Sequence, residues 1–232
     1  MRISLRGRFA LTFAGLIVFS SAVLSMVLGG RASGMVEQRI GIALADTAAQ
    51  MADTLDRSMW ARSQEVQILA SLDVLRDPGD TTAARRLMDR LRQSIPLYSW
   101  VGLLGPDGTV LEATDGLLAG KNIGQRPVFA QGRQGLFIGD VHDAVLLAKM
   151  LPNPSGEAMK FVDVSAPLID AHGRFRGVLA THLSWEWAKE VEETFLRSLK
   201  GKRSVELFIV AADGNVLLGE RGLLGRPLNL EL

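Results

Sequence analysis

The chain has no cysteine among its 232 residues, only three histidines and one tyrosine, and a formal net charge of +1. Without cysteine it can form no disulfide scaffold, thiol nucleophile or thiolate metal site. Its nearly balanced charge gives no electrostatic footprint for nucleic acid, which would need clustered lysine and arginine on one face. The composition therefore indicates one or two modest domains with an ordinary packed core and no nucleic-acid partner.

Motifs of common catalytic sites are also missing. The sequence has no Gly-x-Ser-x-Gly elbow and no P-loop. A membrane-anchored hydrolase would have to assemble its site from His142, Asp143 and a distant serine, and no spacing in the sequence suggests such a site. We therefore predict that these residues carry no catalysis and no resident cofactor.

One long uncharged run, residues 9–29, reads FALTFAGLIVFSSAVLSMVLG. Roughly 20 apolar residues suffice for a helix that crosses a bilayer. Arg2, Arg6 and Arg8 precede the run closely, which favours a cytoplasmic amino terminus and places the remainder outside the cytoplasm. A cleaved signal peptide would begin in the same way, but its apolar region is usually about 7–15 residues long. We predict a cytoplasmic segment 1–8 and an uncleaved membrane helix 9–29.

The next segment, residues 30–95, has a helical pattern. Residues 35–75 contain no proline, and apolar side chains recur at steps of three and four. The pattern predicts a long helix that ends before Asp77-Pro78, followed by a second helix at 82–94 that folds back on it. The apolar stripe could pack on the chain's own domain or form a dimer seam near the membrane. We predict a homodimer through this helix, a loose one because Ala48 and Met51 are weak seam residues.

After Pro96 the period of the pattern changes. Residues 100–104 and 109–113 read as two strands joined by a tight turn, and so do residues 160–169 and 176–183. Residues 185–199 then have helical spacing. The chain is therefore predicted to be α+β, with an antiparallel sheet in a module that covers residues 96–200.

The first hairpin pattern then returns. The segments LLGPDGTVLEATDGLLAGKNIGQRP and FIVAADGNVLLGERGLLGRP share an apolar strand, Asp-Gly, x-Val-Leu and a Gly-Leu-Leu loop that ends in Arg-Pro. Such self-similarity predicts a duplicated module. The second copy, residues 201–232, would be incomplete, because a strand pair without a partner sheet does not fold alone. We expect whatever the protein controls to lie beyond Leu232.

An anchor, a long helix, a short helix and two PAS-like sheet modules in tandem resemble the double Cache (dCache) sensor region of bacterial transmembrane receptors. The resemblance covers about residues 31–232, and it is carried by WVGLLGPDGTV at 100–110, GQRPVF at 124–129, DVSAPLID at 163–170 and GRFRGVL at 173–179. It implies a periplasmic sensor on the inner membrane that binds a small organic ligand and regulates a cytoplasmic output domain. The phrase HLSWEWA at 182–188 resembles members linked to diguanylate cyclases, so we rank that output before a histidine kinase or a chemoreceptor.

The resemblance also implies ligand contacts. Members that bind amino acids use a loop arginine for the carboxylate, its aromatic neighbours, and an acidic residue for the ammonium group. Arg126 matches the arginine, Val128 and Phe129 replace the tryptophan and tyrosine, and Asp143 is the best counterpart of the acid. Because of these departures, the resemblance leaves open an amino acid, another small organic acid, or no tightly bound ligand.

Each candidate has a second interpretation when it is judged by residue type alone. Arg126 could hold a carboxylate with both nitrogens, or it could pair with a neighbouring acid. Trp100 and Tyr98 could line a pocket, although an aromatic side chain at a strand start is more often core. Asp163, which alternates with apolar residues, could face a pocket or solvent. The competing class of function is an anchored module that binds a partner protein, for which a filled sheet face is expected.

A metal site is a further possibility. His142 lies beside Asp140 and Asp143, and that combination invites a metal interpretation. Neither His172 nor His182 stands at a ligand spacing from His142, and His172 belongs to a turn. The sequence therefore predicts no metal site.

Overall fold

The computed structural model describes residues 5–76, 81–143, 147–151, 159–199 and 205–228. The chain divides into two compact units, Met1–Gln50 and Met51–Leu232. One helix, α1 (Leu5–Ala70), begins in the first unit and ends in the second.

In the first unit the apolar side chains of the helix are exposed. Phe13, Ile17 and Leu24 are typical, each at least 60% exposed. The helix is long and apolar enough to span a membrane, and none of its apolar stretch is buried. The helix therefore has the length and apolar composition that were predicted for residues 9–29.

In the second unit α1 ends earlier than predicted. The helix stops at Ala70 instead of continuing to residue 75, and a short helix, α2 (Asp73–Arg76), follows. The Ser71 amide bonds the carbonyl of Ile68, three residues back, and the Ser71 hydroxyl donates to the same carbonyl at 2.6 Å. A serine that competes for backbone carbonyls in this way commonly ends or bends a helix. The break turns Leu75 inward, where it is 1% exposed.

The other predicted helices are confirmed. The second helix, α3, covers Thr81–Ser94, and the later helix, α5, covers Glu186–Leu199. Their predicted bounds were 82–94 and 185–199, each within one residue. Between them lies a short helix that was not predicted, α4 (Pro127–Ala130), which opens with a proline at its first turn.

A six-stranded antiparallel sheet forms the centre of the second unit. Its strands are β1 (Tyr98–Leu104), β2 (Val110–Ala113), β3 (Phe137–Ile138), β4 (His142–Asp143), β5 (Lys160–Ile169) and β6 (Phe175–Ser184). The order is β2-β1-β6-β5-β3, and β4 also pairs with β5. Both predicted strand–turn–strand units, β1–β2 and β5–β6, are confirmed. A separate two-stranded sheet pairs β7 (Ile209–Val210) with β8 (Val216–Leu218), and the architecture is α+β as predicted.

The sheet has two different faces because side chains alternate along each strand. On β5, one set of alternating residues joins the core that also holds side chains of α1, α2 and α3: Val162, Val164, Ala166 and Leu168. The intervening residues Phe161, Asp163 and Ser165 point to the opposite face. There the loops between β2 and β5 supply a second cluster, with Ile123, Val128, Phe129 and Leu147. We call this the loop face.

The turn between β5 and β6 contains a buried acid, Asp170. Its side chain is 4% exposed and accepts hydrogen bonds from the amides of Arg174 and His172 and from the Arg174 guanidinium. These bonds, led by the one from the Arg174 amide, lower the pKa of Asp170 to about 2. An unfolded aspartate has a pKa of about 3.9.

We therefore expect Asp170 to stabilise the fold fully above about pH 4, and the contribution to disappear as the pH falls toward about 2. The Asp170→Asn variant should melt below the wild-type chain at pH 7, and the difference in Tm should shrink between pH 4 and pH 2. Thermal unfolding of both chains across this range measures the effect. A difference in Tm that stays constant with pH would contradict the assignment.

Candidate ligand pocket

A pocket with a volume of about 440 Å³ opens on the loop face of the sheet. Cavities of this size hold small organic molecules, and such sites are mostly apolar with a few placed polar groups. The lining fits that description, because its apolar members include Leu118, Ile123, Phe137, Leu147 and Phe161. The described polar side chains that line it are Arg126, Asp140, His142, Asp143, Asp163 and His182.

The short helix α4 holds Arg126 at the rim of this pocket. The Arg126 amide donates to the Ile123 carbonyl at 2.9 Å, and the Arg126 carbonyl accepts from the amides of Phe129 and Ala130. Val128 and Phe129 are 2% and 3% exposed, so they anchor the helix in the core. The backbone of Arg126 is thus fixed while its side chain is exposed. No described acidic side chain forms an ion pair with it.

Three side chains from three adjacent strands meet at the floor of the pocket. Asp163 on β5 is 6% exposed and lies directly opposite His182 on β6 in the strand register. His182 Nδ1 makes a short hydrogen bond with Asp163 Oδ1, and His142 Nε2 on β4 lies 3.5 Å from the same oxygen. The potential ligand atoms of the three residues all lie within 4.8 Å of one another. We call this group the His–Asp–His cluster.

Neighbouring groups hold the rings of the cluster. The His182 ring lies between Trp100 and Phe161, with ring centroids 5.1 and 5.5 Å away. His142 Nδ1 lies 3.1 Å from the carbonyl oxygen of Asp140. A carbonyl only accepts, so this bond requires the proton of His142 to be on Nδ1.

The structure brings three of the six predicted site residues into the pocket: Arg126, Asp143 and Asp163. Asp143 is exposed and accepts a hydrogen bond from Lys160 Nζ at 2.8 Å. Asp163, for which two orientations were open, faces the pocket.

The other three predicted site residues are not among the described residues that line the pocket. Trp100 lies beneath His182 and donates from Nε1 to the Leu117 carbonyl at 3.1 Å. Phe129 lies in the core of the loop face, with the Arg133 guanidinium 5.9 Å from its ring centre.

Tyr98 belongs to the core on the helix side of the sheet, and its hydroxyl donates to Glu65 on α1 at 2.9 Å. Burial and the nearby Glu65 carboxylate raise the pKa of Tyr98 well above its usual range. The phenol therefore stays neutral and links α1 to β1.

The two pocket histidines do not stand out as a pair in the sequence. They are 40 residues apart along the chain, a spacing that does not resemble a metal-binding motif. Strand pairing nevertheless places both beside Asp163. The prediction of no metal site was based on this spacing, but the fold brings both histidines and Asp163 together. A signal was present: Asp163 and His182 belong to two strands predicted to pair across the turn at 170–173. What the pattern could not supply was the register, which a bulge between Leu168 and Ile169 shifts by one residue.

Comparison with known proteins shows which solved structures have a similar fold. No protein-family model matches the chain, and no curated protein sequence matches it. Solved structures do match. One is an extracellular ligand binding receptor from Desulfohalobium retbaense, with a TM-score of 0.62 and 14% identity over 78% of this chain. This chain covers 32% of that receptor chain, about a third of its length.

Two further matches cover more of the neighbour. The ligand-binding domain of the Pseudomonas aeruginosa amino acid chemoreceptor PctC, in complex with GABA, has a TM-score of 0.59 and 20% identity, over 80% of this chain and 77% of that one. The sensor domain of the Vibrio cholerae histidine kinase DctB has a TM-score of 0.56 and 13% identity, over 80% and 69%. At these identities the likeness concerns the fold: this chain has the fold of extracellular sensor domains from chemoreceptors and histidine kinases.

Proposed function

We propose that this chain is the extracytoplasmic sensing region of a membrane-bound signalling receptor, and that its pocket binds a small organic carboxylate. The observation that carries the proposal is Arg126, an exposed guanidinium on a fixed backbone at the rim of a 440 Å³ pocket. A guanidinium binds a carboxylate through two parallel hydrogen bonds. The fold shared with sensor domains supports the same role.

Amino acids are one class of carboxylate that would fit this pocket. Their ammonium group needs an acidic partner, and Asp143 and Asp140 line the same pocket as Arg126. Asp143 already forms an ion pair with Lys160, and Asp163 already contacts His142 and His182. We therefore favour carboxylates without an obligatory ammonium group, with amino acids as the second choice.

The alternative of a module that binds a partner protein is less well supported. That function was expected to leave a flat, filled sheet face. The loop face instead holds a pocket with charged side chains at its floor and rim.

A ligand in this pocket would contact two separate parts of the structure. Arg126 belongs to the start of α4, whereas Asp163 belongs to the central strand β5. A ligand that touches both would favour the arrangement in which loop and sheet are close, and only such differential affinity can shift a conformational equilibrium. Coupling energies between distant sites are typically about 1–3 kcal/mol.

The route of the signal is also a proposal. Residues 9–29 would anchor the receptor in the inner membrane, and the stripe along α1 would pair two copies as a homodimer. The output domain that we propose first is a diguanylate cyclase, on the sequence resemblance of residues 182–188. A histidine kinase and a chemoreceptor are the alternatives, and the structural neighbours belong to these two types of receptor.

The test is a ligand screen on the whole chain, solubilised in detergent and treated with EDTA, with unfolding followed by tryptophan fluorescence. The library contains small carboxylates, amino acids and amines. A ligand at 100 times its Kd stabilises the folded state by about 2.7 kcal/mol, which raises the Tm measurably. We expect a carboxylate to raise the Tm, and Arg126→Ala to weaken its binding about 10- to 100-fold, since a hydrogen-bonded charge contributes about 1.5–3 kcal/mol.

Arg133→Ala is the matched control, because Arg133 is an exposed arginine on the same segment that stacks on Phe129 and Phe175 and does not line the pocket. Its baseline Tm will fall with the lost stacking, but the rise caused by the ligand should remain. An absence of any stabilising ligand, or equal stabilisation of the wild-type and Arg126→Ala chains, would refute the proposal.

A further inference from the structure

The contact between His142 Nδ1 and the Asp140 carbonyl directs the other ring nitrogen, Nε2, at an acceptor oxygen. With its proton on Nδ1, as the contact with the Asp140 carbonyl requires, neutral His142 presents the lone pair of Nε2. That lone pair lies 3.5 Å from Asp163 Oδ1, which is also an acceptor atom. Two acceptor atoms directed at each other form a position at which one metal ion can bind both.

We propose that His142, Asp163 and His182 bind a divalent transition-metal ion of the zinc type at the floor of the pocket. Two imidazole nitrogens and one carboxylate oxygen form a donor set that suits Zn²⁺ and its neighbours, whereas Ca²⁺ and Mg²⁺ prefer oxygen ligands alone. The inference rests on the proposed function, because the ion would occupy the same pocket. It adds a ligand class that neither Arg126 nor the pocket's apolar lining can recognise.

The supporting contacts are those that metal ligands usually have. A ligating histidine typically donates its second N–H to a carbonyl or carboxylate, which fixes the tautomer and aims the other nitrogen at the metal. His142 has this bond to Asp140, at 3.1 Å. The His182 ring is held between Trp100 and Phe161. Both rings are therefore oriented before an ion arrives.

On metal binding, the hydrogen bond between Asp163 Oδ1 and His182 Nδ1 would be replaced by bonds to the ion, with release of the bonded proton. Zinc–nitrogen bonds of about 2.0–2.1 Å put neighbouring tetrahedral ligand atoms roughly 3.3 Å apart, and the present atoms lie within 4.8 Å of one another. Asp163 and His182 are fixed in long central strands, with side chains 9% and 12% exposed. His142 is 44% exposed on the two-residue strand β4, so it can move.

Three protein ligands leave a coordination position open, and such open sites bind water or an exchangeable ligand. Here all three cluster residues line the pocket that Arg126 also lines, so an exchangeable ligand in the pocket would be able to reach the ion. The ion could arrive free in solution or as a chelate with a small carboxylate. In the second case the carboxylate would contact both the metal and Arg126.

The test measures metal binding directly on the whole chain, purified in detergent without a polyhistidine tag and stripped with EDTA. Co²⁺ is the probe, because its visible absorption reports coordination by nitrogen and oxygen ligands. We expect one Co²⁺ per chain, displaced by Zn²⁺ and unaffected by excess Mg²⁺. His142→Ala and His182→Ala should each weaken binding by more than the about 10- to 100-fold cost of losing a supporting contact.

His172→Ala is the matched control, since the chain has only three histidines and His172 lies exposed in the turn after β5. It should bind Co²⁺ like the wild type. His182 is packed between rings, so His182→Ala could misfold; His142 is exposed, and its variant decides the test alone. No Co²⁺ binding to the folded chain, or equal binding by His142→Ala and His172→Ala, would overturn the inference.

Repeating the carboxylate screen with EDTA and then with Zn²⁺ separates this inference from the proposed function. Stabilisation by a carboxylate only with Zn²⁺ supports the metal site and identifies a chelate as the ligand, and it refutes binding of the free carboxylate. Zn²⁺ binding with no carboxylate effect supports the metal site and refutes carboxylate sensing. Carboxylate stabilisation in EDTA that His142→Ala leaves intact, together with no Co²⁺ binding, supports sensing and overturns the metal site.

Discussion

Replacing Gly177 with alanine is expected to lower the free energy of unfolding by about 2–6 kcal/mol. Gly177 lies in β6 with φ of +147°, and a Cβ built on it would lie 1.8 Å from the carbonyl oxygen of Leu104 in β1. Backbone strain at such a conformation costs about 1–3 kcal/mol, and overpacking typically costs about 1–3 kcal/mol more. Because the obstacle is backbone, no side-chain rotation can relieve it.

Gly173→Ala provides the control, because Gly173 also has a positive φ, +77°, but no atom of the described residues lies within 4 Å of the position that a Cβ would take there. Only the conformational cost of about 1–2 kcal/mol applies at this residue. Chemical denaturation of the two variants and the wild type gives the comparison. Equal losses at both positions would mean that the close approach of β1 and β6 at Gly177 does not matter for stability.

Gly177 lies in β6, one of the two strands that position two residues of the pocket. Gly177 pairs with Leu168, next to the bulge that sets the register of β5 and β6. That register places Asp163 opposite His182. A strand that slips by one residue turns every side chain to the other face, so the position of the His–Asp–His cluster on the loop face depends on this register.

Local patterns were sufficient to predict the helices and the long hairpins. The spacing of apolar residues in α3 and the Asp-Gly turn between β1 and β2 are properties of neighbouring residues, and both elements appear where expected. The end of α1 was placed too late, since Leu69 and Leu72 continue the helical spacing across the break. Nothing in that spacing reveals that Ser71 diverts a carbonyl from the helix.

The pocket was only partly predictable because it depends on long-range pairing. Alternation in β5 shows that Asp163 faces away from Val162 and Val164, but not that loops cover that face. His142 lies in the two-residue strand β4, too short to produce a pattern, so its position beside Asp163 follows from pairing alone. Arg126 was found through the family resemblance, since an exposed loop arginine has no distinguishing local signal.

Trp100→Ala is expected to cost about 3–5 kcal/mol in the free energy of unfolding, the usual range for removing a buried aromatic ring. Trp100 is 0% exposed, and its ring covers Gly102, where a Cβ would lie 2.2 Å from the indole. Since Gly102 has no side chain to fill the space, the cavity cannot collapse easily, and the cost should fall in the upper part of the range. The His182 ring would lose one of its two flanking rings.

Trp100→Phe and Trp60→Ala separate these effects. Phenylalanine keeps a ring beside His182 but loses the hydrogen bond to the Leu117 carbonyl, so we expect a smaller loss of stability and nearly unchanged Co²⁺ affinity. Trp60 is 64% exposed, and its replacement should change stability by about 0.5 kcal/mol or less. Denaturation and Co²⁺ titration of all three variants give the two readouts. If Trp100→Ala weakened stability without weakening Co²⁺ binding, Trp100 would be a core residue only, and the orientation of His182 would depend on Asp163 and Phe161.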